Sequence, residues 1–178
     1  MTKSILAISG STRSKSTNAQ LISAVSKLLS DKTEIIVYND LARLPHFNPD
    51  DDHENVSPYV SQFRNLLRVA DGVMICTPEY AMGLPGSLKN ALDWTVSSME
   101  FSGKPVMAIT ASLSGEKAHQ SLMDTLKIIE AKNIDELQLL IQYAKSKFSK
   151  EGEIIDEETL KKLTARVADF ERILQGKI

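Results

Sequence analysis

The 178-residue sequence predicts an α/β fold: a five-stranded parallel sheet with helices on both faces. Two observations carry this. Five short apolar or β-branched runs alternate along the chain with five stretches whose apolar residues recur every three or four positions. Polar loops rich in Gly, Pro or hydroxyl residues follow the strands, which gathers them at one edge of the sheet, where ligands of open α/β folds bind.

The elements follow in order. "SILAIS", residues 4–9, is an apolar strand ended by Gly10, and Leu21, Ile22, Val25, Leu28 and Leu29 then keep helical spacing. "EIIVYND", residues 34–40, is β-branched and forms the second strand. "LARLPHFNPDDDHENV" has the Pro, Asn and Asp content of a long surface loop. Ser57 is placed to cap the next helix, with Pro58 at its first position. "DGVMICT" is the third strand, "SLKNALDWTVSS" the third helix and "KPVMAITAS" the fourth strand. "GEKAHQSLMDTLKIIEA" is the fourth helix, and a fifth strand falls within "NIDELQLLIQ", a run that also permits a helical turn. Leu160, Leu163, Val167, Phe170 and Leu174 mark a final amphipathic helix.

Composition bounds the function. With 42% apolar and 25% charged residues the chain has ordinary globular make-up, and its length suits a single domain over residues 1–178. A formal charge of -2 gives no basic stripe for nucleic acid. The N-terminal apolar run is too short for a membrane span or a secretory signal, so a cytoplasmic address is expected. Cys76 has no partner for a disulfide and is expected to pack as a small hydrophobe.

The first loop, "GSTRSKSTN", reads as an anion site. A strand delivers Gly10, and the following helix aims its unpaired N–H groups back at the loop. Ser11, Ser16, Thr17 and Asn18 can donate hydrogen bonds, and Arg13 can add a charge-assisted one; helix capping by Ser16 or Thr17 is the plainer use of these hydroxyls. The loop lacks the glycines of a G-x-G-x-x-G fingerprint and the G-K-[ST] of a P-loop, and suits a terminal phosphate such as that of FMN. In "TPEYAMGLPG", Pro78, Gly83, Pro85 and Gly86 are expected to fix a chain reversal with Tyr80 at its tip, its peptide groups available to a flat heterocycle.

Together, "GSTRSKSTN" and "PEYAMGLPGSLKNALDW" resemble the paired signatures of the NADPH-dependent FMN reductase family, and "LPHFNPDDD", "FRNLLRVADGVMICTPEY" and "GKPVMAITAS" extend the likeness over about residues 3–130. The resemblance implies a flavodoxin-like three-layer sandwich with strand order 2-1-3-4-5. It implies FMN, with its phosphate on Ser11, Arg13, Ser16, Thr17 and Asn18, and its ring against Pro78, Glu79, Tyr80, Ala81, Met82, Gly83 and Ser112. It further implies a homodimer, or a dimer of dimers, with Lys89 and Asp93 on the interface helix. The chain departs from the family in Ala81 and Met82, where a polar residue, often Asn, is usual, and in "ASLSGEKAHQ", which replaces a Gly-rich third loop.

The implied activity is hydride transfer from NADPH, or NADH, to FMN and then to a small acceptor such as free flavin, a quinone or an azo compound. The flavin carries that chemistry, so no catalytic side chain is assigned. A flavodoxin-like one-electron carrier and a flavin-binding regulatory protein are the alternative readings. No metal is assigned: His46, Asp50, Asp51, Asp52 and His53 read as a solvated acidic loop. His119 is expected on the helix surface, and Trp94 suits either the core or a subunit contact.

Overall fold

The computed structural model describes residues 2–13, 16–149 and 151–177. Its strands are β1 (Lys3–Ser9), β2 (Thr33–Tyr38), β3 (Gly72–Thr77), β4 (Val106–Ala111) and β5 (Gln138–Ile141). Its helices are α1 (Thr17–Leu28), α2 (Pro58–Val69), α3 (Gly86–Asp93), α4 (Glu116–Ile128) and α5 (Glu157–Leu174). All strands pair in parallel in the order β2-β1-β3-β4-β5, the expected one. The winding reverses between β1 and β3, so the chain leaves a crevice at their C-terminal ends.

Alternation along the strands builds two cores. Leu6, Ile8, Val73, Ile75, Val106 and Ala108 face α2, α3 and α4, while Ile5, Ala7, Met74, Cys76, Met107 and Ile109 face α1 and α5. Both faces of β3 and β4 are buried throughout, as central strands of a parallel sheet require. Gly72 admits the end of α5: a Cβ there would stand 2.8 Å from Leu174 Cδ2 and from Phe170 Cζ. Among the described residues no helix is long and apolar enough to cross a membrane.

Two local expectations are corrected. The third helix stops at Asp93 instead of running to Ser98. The Trp94 carbonyl, which would accept the next helical hydrogen bond, takes Arg64 Nε–H at 2.9 Å, and the Thr95 hydroxyl donates to Leu92 O at 2.7 Å. The acidic loop is not wholly solvated. It holds two 3₁₀ turns, Leu41–Arg43 and Pro49–Asp51, and Asp52 is nearly buried against Arg64 at 2.8 Å and the Ser97 hydroxyl. Burial raises the Asp52 pKa, but the Ser97 and Arg64 bonds outweigh it and hold the carboxyl below its usual value. As expected, Ser57 stands at the α2 N-cap and Pro58 starts the helix, though the Ser57 side chain makes no cap bond.

Trp94 belongs to the core. Its Nε1–H donates to Pro45 O at 2.8 Å, and Phe47 meets its ring edge-on at 5.1 Å, which ties the long loop to α3. Cys76 is buried, and burial pushes its thiol pKa up, in keeping with a packing role.

Candidate functional site

A groove of about 990 Å³ lies across the C-terminal edge of the sheet. Its walls are the β1–α1 loop, the segment after β3, the end of β4, and the chain from Tyr143 to Ser149.

The β1–α1 loop is shaped by its own hydroxyls. Gly10 N–H donates to Cys76 O at 2.8 Å, extending the β1–β3 pairing. A Cβ at Gly10 would lie 2.5 Å from Thr77 Oγ1 and 3.0 Å from Leu88 Cδ2, so only glycine allows this approach. The Ser9 hydroxyl donates to Ser11 O at 3.0 Å, and the Ser11 N–H donates back to Ser9 Oγ at 3.3 Å. Ser16 caps α1 by accepting Ala19 N–H at 3.1 Å, which leaves its own O–H able to donate. The first turn of α1 carries no acidic residue to neutralise its positive end. Asn18 is 2% exposed, lines the groove, and its Oδ1 has no hydrogen-bond partner among the described residues. Ser11, Arg13, Ser16, Thr17 and Asn18 therefore share one wall; Ser14 lies outside the described residues.

The segment after β3 departs from expectation in two ways. Its reversal centres on Ala81 and Met82, at φ 47° and 60°, rather than on Gly83 or Gly86. Tyr80 and Gly83 exchange both backbone hydrogen bonds at 3.0 Å, closing a two-residue turn in which neither central residue is glycine. Ala81, Met82 and Gly83 form the tip of that turn, beyond the groove wall that Pro78, Glu79 and Tyr80 line. The Glu79 carboxylate is committed elsewhere: it accepts Ala118 N–H at 3.0 Å, Gly115 N–H at 3.3 Å and the Ser114 hydroxyl at 3.2 Å. The Ala118 bond leads in holding its pKa below the usual glutamate value. Gly115, at the α4 N-cap, has no side chain, so Glu79 caps α4 from another loop.

Ser112 accepts Glu79 N–H on its Oγ at 3.2 Å, joining the ends of β3 and β4. His119 is neither on the solvent face of α4 nor in the groove; its ring nitrogens stand 2.9 Å from Thr110 Oγ1 and 2.9 Å from Gln138 Oε1. Lys89 and Asp93 pair with each other on the outer side of α3. The wall from Tyr143 to Ser149 has no counterpart in the sequence reading, because the ambiguous fifth strand left its following loop unplaced. Behind the first loop, a cavity of about 480 Å³ between α1 and edge strand β2 shares Ser11 and Arg13 with the groove. Among the described residues, no three His, Cys, Asp or Glu side chains gather as a metal site.

The sequence pattern of the family described as "NADPH-dependent FMN reductase" matches residues 4–146. Among curated relatives, an NAD(P)H-dependent FMN reductase of Pseudomonas aeruginosa is 32% identical over 86% of this chain and 85% of its own length. A quinone reductase of Escherichia coli is 29% identical over 96% of this chain and 95% of its own. Among solved structures, the flavoenzyme NAD(P)H:(acceptor) oxidoreductase FerB of Paracoccus denitrificans superposes with a TM-score of 0.77 at 24% identity, covering 98% of each chain, so the flavodoxin-like fold is shared.

Proposed function

The chain belongs to the NADPH-dependent FMN reductase family, and on that premise we propose that it binds FMN and carries electrons from NAD(P)H to a second, small acceptor. The supporting observation is Asn18, whose buried amide Oδ1 has no partner among the described residues and calls for a donor such as a polyol hydroxyl. It lies in the first turn of α1, whose N-terminus no acidic residue compensates, in a groove where three strand-following loops meet. The hydroxyls, the amide and the guanidinium present fit a phosphate and polyol chain.

In this reading Ser11, Arg13, Ser16, Thr17 and Asn18 hold the phosphate and the adjoining chain. The peptide groups of Pro78, Glu79 and Tyr80 face the polar edge of the ring, with Ser112 beside them, and Ala81, Met82 and Gly83 cover it from the turn tip. When bound, FMN supplies the two-electron relay between nicotinamide and acceptor. The protein's part is to fix the ring edge-on to backbone N–H donors of the 78–83 turn and to leave one face open for stacking. Pro78 has no N–H, and those of Glu79, Tyr80 and Gly83 are bonded to Ser112 Oγ, Gly83 O and Tyr80 O, so the N–H groups of Ala81 and Met82 are the ones that favour negative charge on the flavin. Glu79 serves this by pinning the loop on which those donors sit.

NADPH is the preferred reductant in this reading, and the cytoplasm the compartment. We assign the exposed side of α3, with Lys89 and Asp93, and the turns that follow it, with Val96 and Met99, to a homodimer contact, alone or within a dimer of dimers. Light scattering during gel filtration tests that assignment. The decisive test of function is anaerobic addition of NADPH to the FMN-loaded protein. Bleaching of the flavin absorbance faster than free FMN is expected; tightly bound FMN that stays oxidised would refute the reductase reading and favour a one-electron carrier.

A further inference from the structure

The wall from Tyr143 to Ser149 stands apart from the three loops proposed to hold FMN, and the groove is at the upper end of the size range of small-molecule sites. Tyr143 adopts left-handed backbone at φ 52°, a conformation that a bulky aromatic residue keeps only where its surroundings impose it. Here they do. Its N–H donates to Leu113 O at 3.0 Å, and its C=O accepts Ser146 N–H at 3.0 Å and the Ser146 hydroxyl at 2.8 Å. Ala144 N–H donates to Ser112 O at 3.0 Å, and the buried side chains of Ala144 and Phe148 root the segment in the core.

The segment presents apolar surface and charge together. Tyr143 is 65% exposed, and Leu113, to which it is bonded, is 74% exposed; both line the groove, as does Tyr80. Large apolar groups held at the mouth of a groove form a platform for a flat ring. Lys145, two residues on, is exposed in the same wall. Among the described lining residues the acidic side chain is Glu79, and its carboxylate is turned into the N-terminus of α4, where it opposes an incoming anion little.

Building on the reductase reading, we infer that Tyr143 and Lys145 select the electron acceptor, a planar aromatic molecule bearing an anionic substituent, such as a sulfonated quinone. Its ring lies on Tyr143 and Leu113, and its anion sits beside the Lys145 ammonium. The net reaction balances as NAD(P)H plus one solvent proton plus quinone giving NAD(P)⁺ and hydroquinone, two electrons and two protons reaching the quinone oxygens.

The test uses FMN-loaded protein and two readouts. Calorimetry compares naphthalene-2-sulfonate with neutral 2-naphthol, neither of them reducible, and kinetics compare 1,4-naphthoquinone-2-sulfonate with 1,4-naphthoquinone. Lys145→Ala should lower the sulfonate-over-neutral preference about threefold to fivefold in both readouts, Lys145→Glu about tenfold, and Lys145→Arg should restore it. Tyr143→Gly keeps the left-handed backbone while removing the ring, and should weaken both naphthalenes. A preference that ignores position 145, or that moves the NADPH-over-NADH ratio instead, overturns the inference. Sulfonate binding that depends on Lys145 without turnover of either quinone would refute the reductase reading while leaving the anion site standing. Turnover of both quinones with equal preference in every variant would do the reverse.

Discussion

Replacing Ala81–Met82 by Asn-Gly should stabilise the protein. Both residues sit in left-handed backbone, at φ 47° and 60°, and this conformation costs an L-residue with a Cβ about 1–2 kcal/mol. Asn reaches it more readily than Ala, a gain of about 0.5–1 kcal/mol for Ala81→Asn. Met82→Gly removes the steric cost but adds about 0.5–1 kcal/mol of backbone entropy to the unfolded chain, for a net gain of about 0.5–1 kcal/mol. Little burial is lost, since Met82 is 70% exposed. The double variant should therefore gain about 1–2 kcal/mol, a rise of roughly 3–6 °C in Tm for a chain of this length. Urea unfolding of the FMN-free protein is the assay, because bound cofactor would add its own stabilisation. A midpoint that stays put or falls, with an unchanged slope, would refute the idea that this turn is strained in the folded chain.

Three further outcomes are expected. Glu79→Ala should destabilise α4 and lower FMN affinity. The Glu79 pKa is depressed by folding, so its contribution is present above the usual glutamate value of 4.5 and lost as pH falls below it; the gap in urea midpoint between wild type and Glu79→Gln should narrow across that window. Gly10→Ala forces a methyl against Thr77 Oγ1 at 2.5 Å and should cost about 1–3 kcal/mol in chemical unfolding while weakening FMN. Arg13→Ala should weaken FMN by about 1.5–3 kcal/mol in a flavin-fluorescence titration if its guanidinium bonds the phosphate, and unchanged affinity would remove it from the site.

What the sequence revealed and what it hid divide along a physical line. Strands such as β3 and helices such as α5 follow from side-chain periodicity, which is local, and the hydroxyl loop announces itself by residue type. The end of α3 was hidden because Arg64, thirty positions earlier, takes the Trp94 carbonyl. The role of Glu79 was hidden because its partners lie beyond position 113, and that of His119 because both its ring nitrogens are engaged by neighbouring strands. The Ala81–Met82 turn defeated composition outright: nearby glycines suggested the bend, and two residues with side chains make it. The Tyr143–Ser149 wall depends on which residues of a short ambiguous run pair with β4.

Gly115 is at φ 89°, and a Cβ there would meet Leu140 Cδ1 at 3.0 Å, so the start of α4 has no room for a capping side chain of its own. The helix borrows its cap from position 79, and two stretches of chain become interdependent in their evolutionary choices. A lineage can vary the tip at Ala81 and Met82 without disturbing α4, within the limits set by their left-handed backbone and by the ring they are proposed to cover. Replacing Glu79 by a residue that cannot accept leaves α4 uncapped unless Leu140 and Thr110, whose Cγ2 would stand 3.2 Å from a Cβ at 115, first give way enough for that position to carry an Asn. Attempts to graft a foreign segment after β3 should respect the same order: keep the acceptor at 79, or rebuild 115 and 140 first.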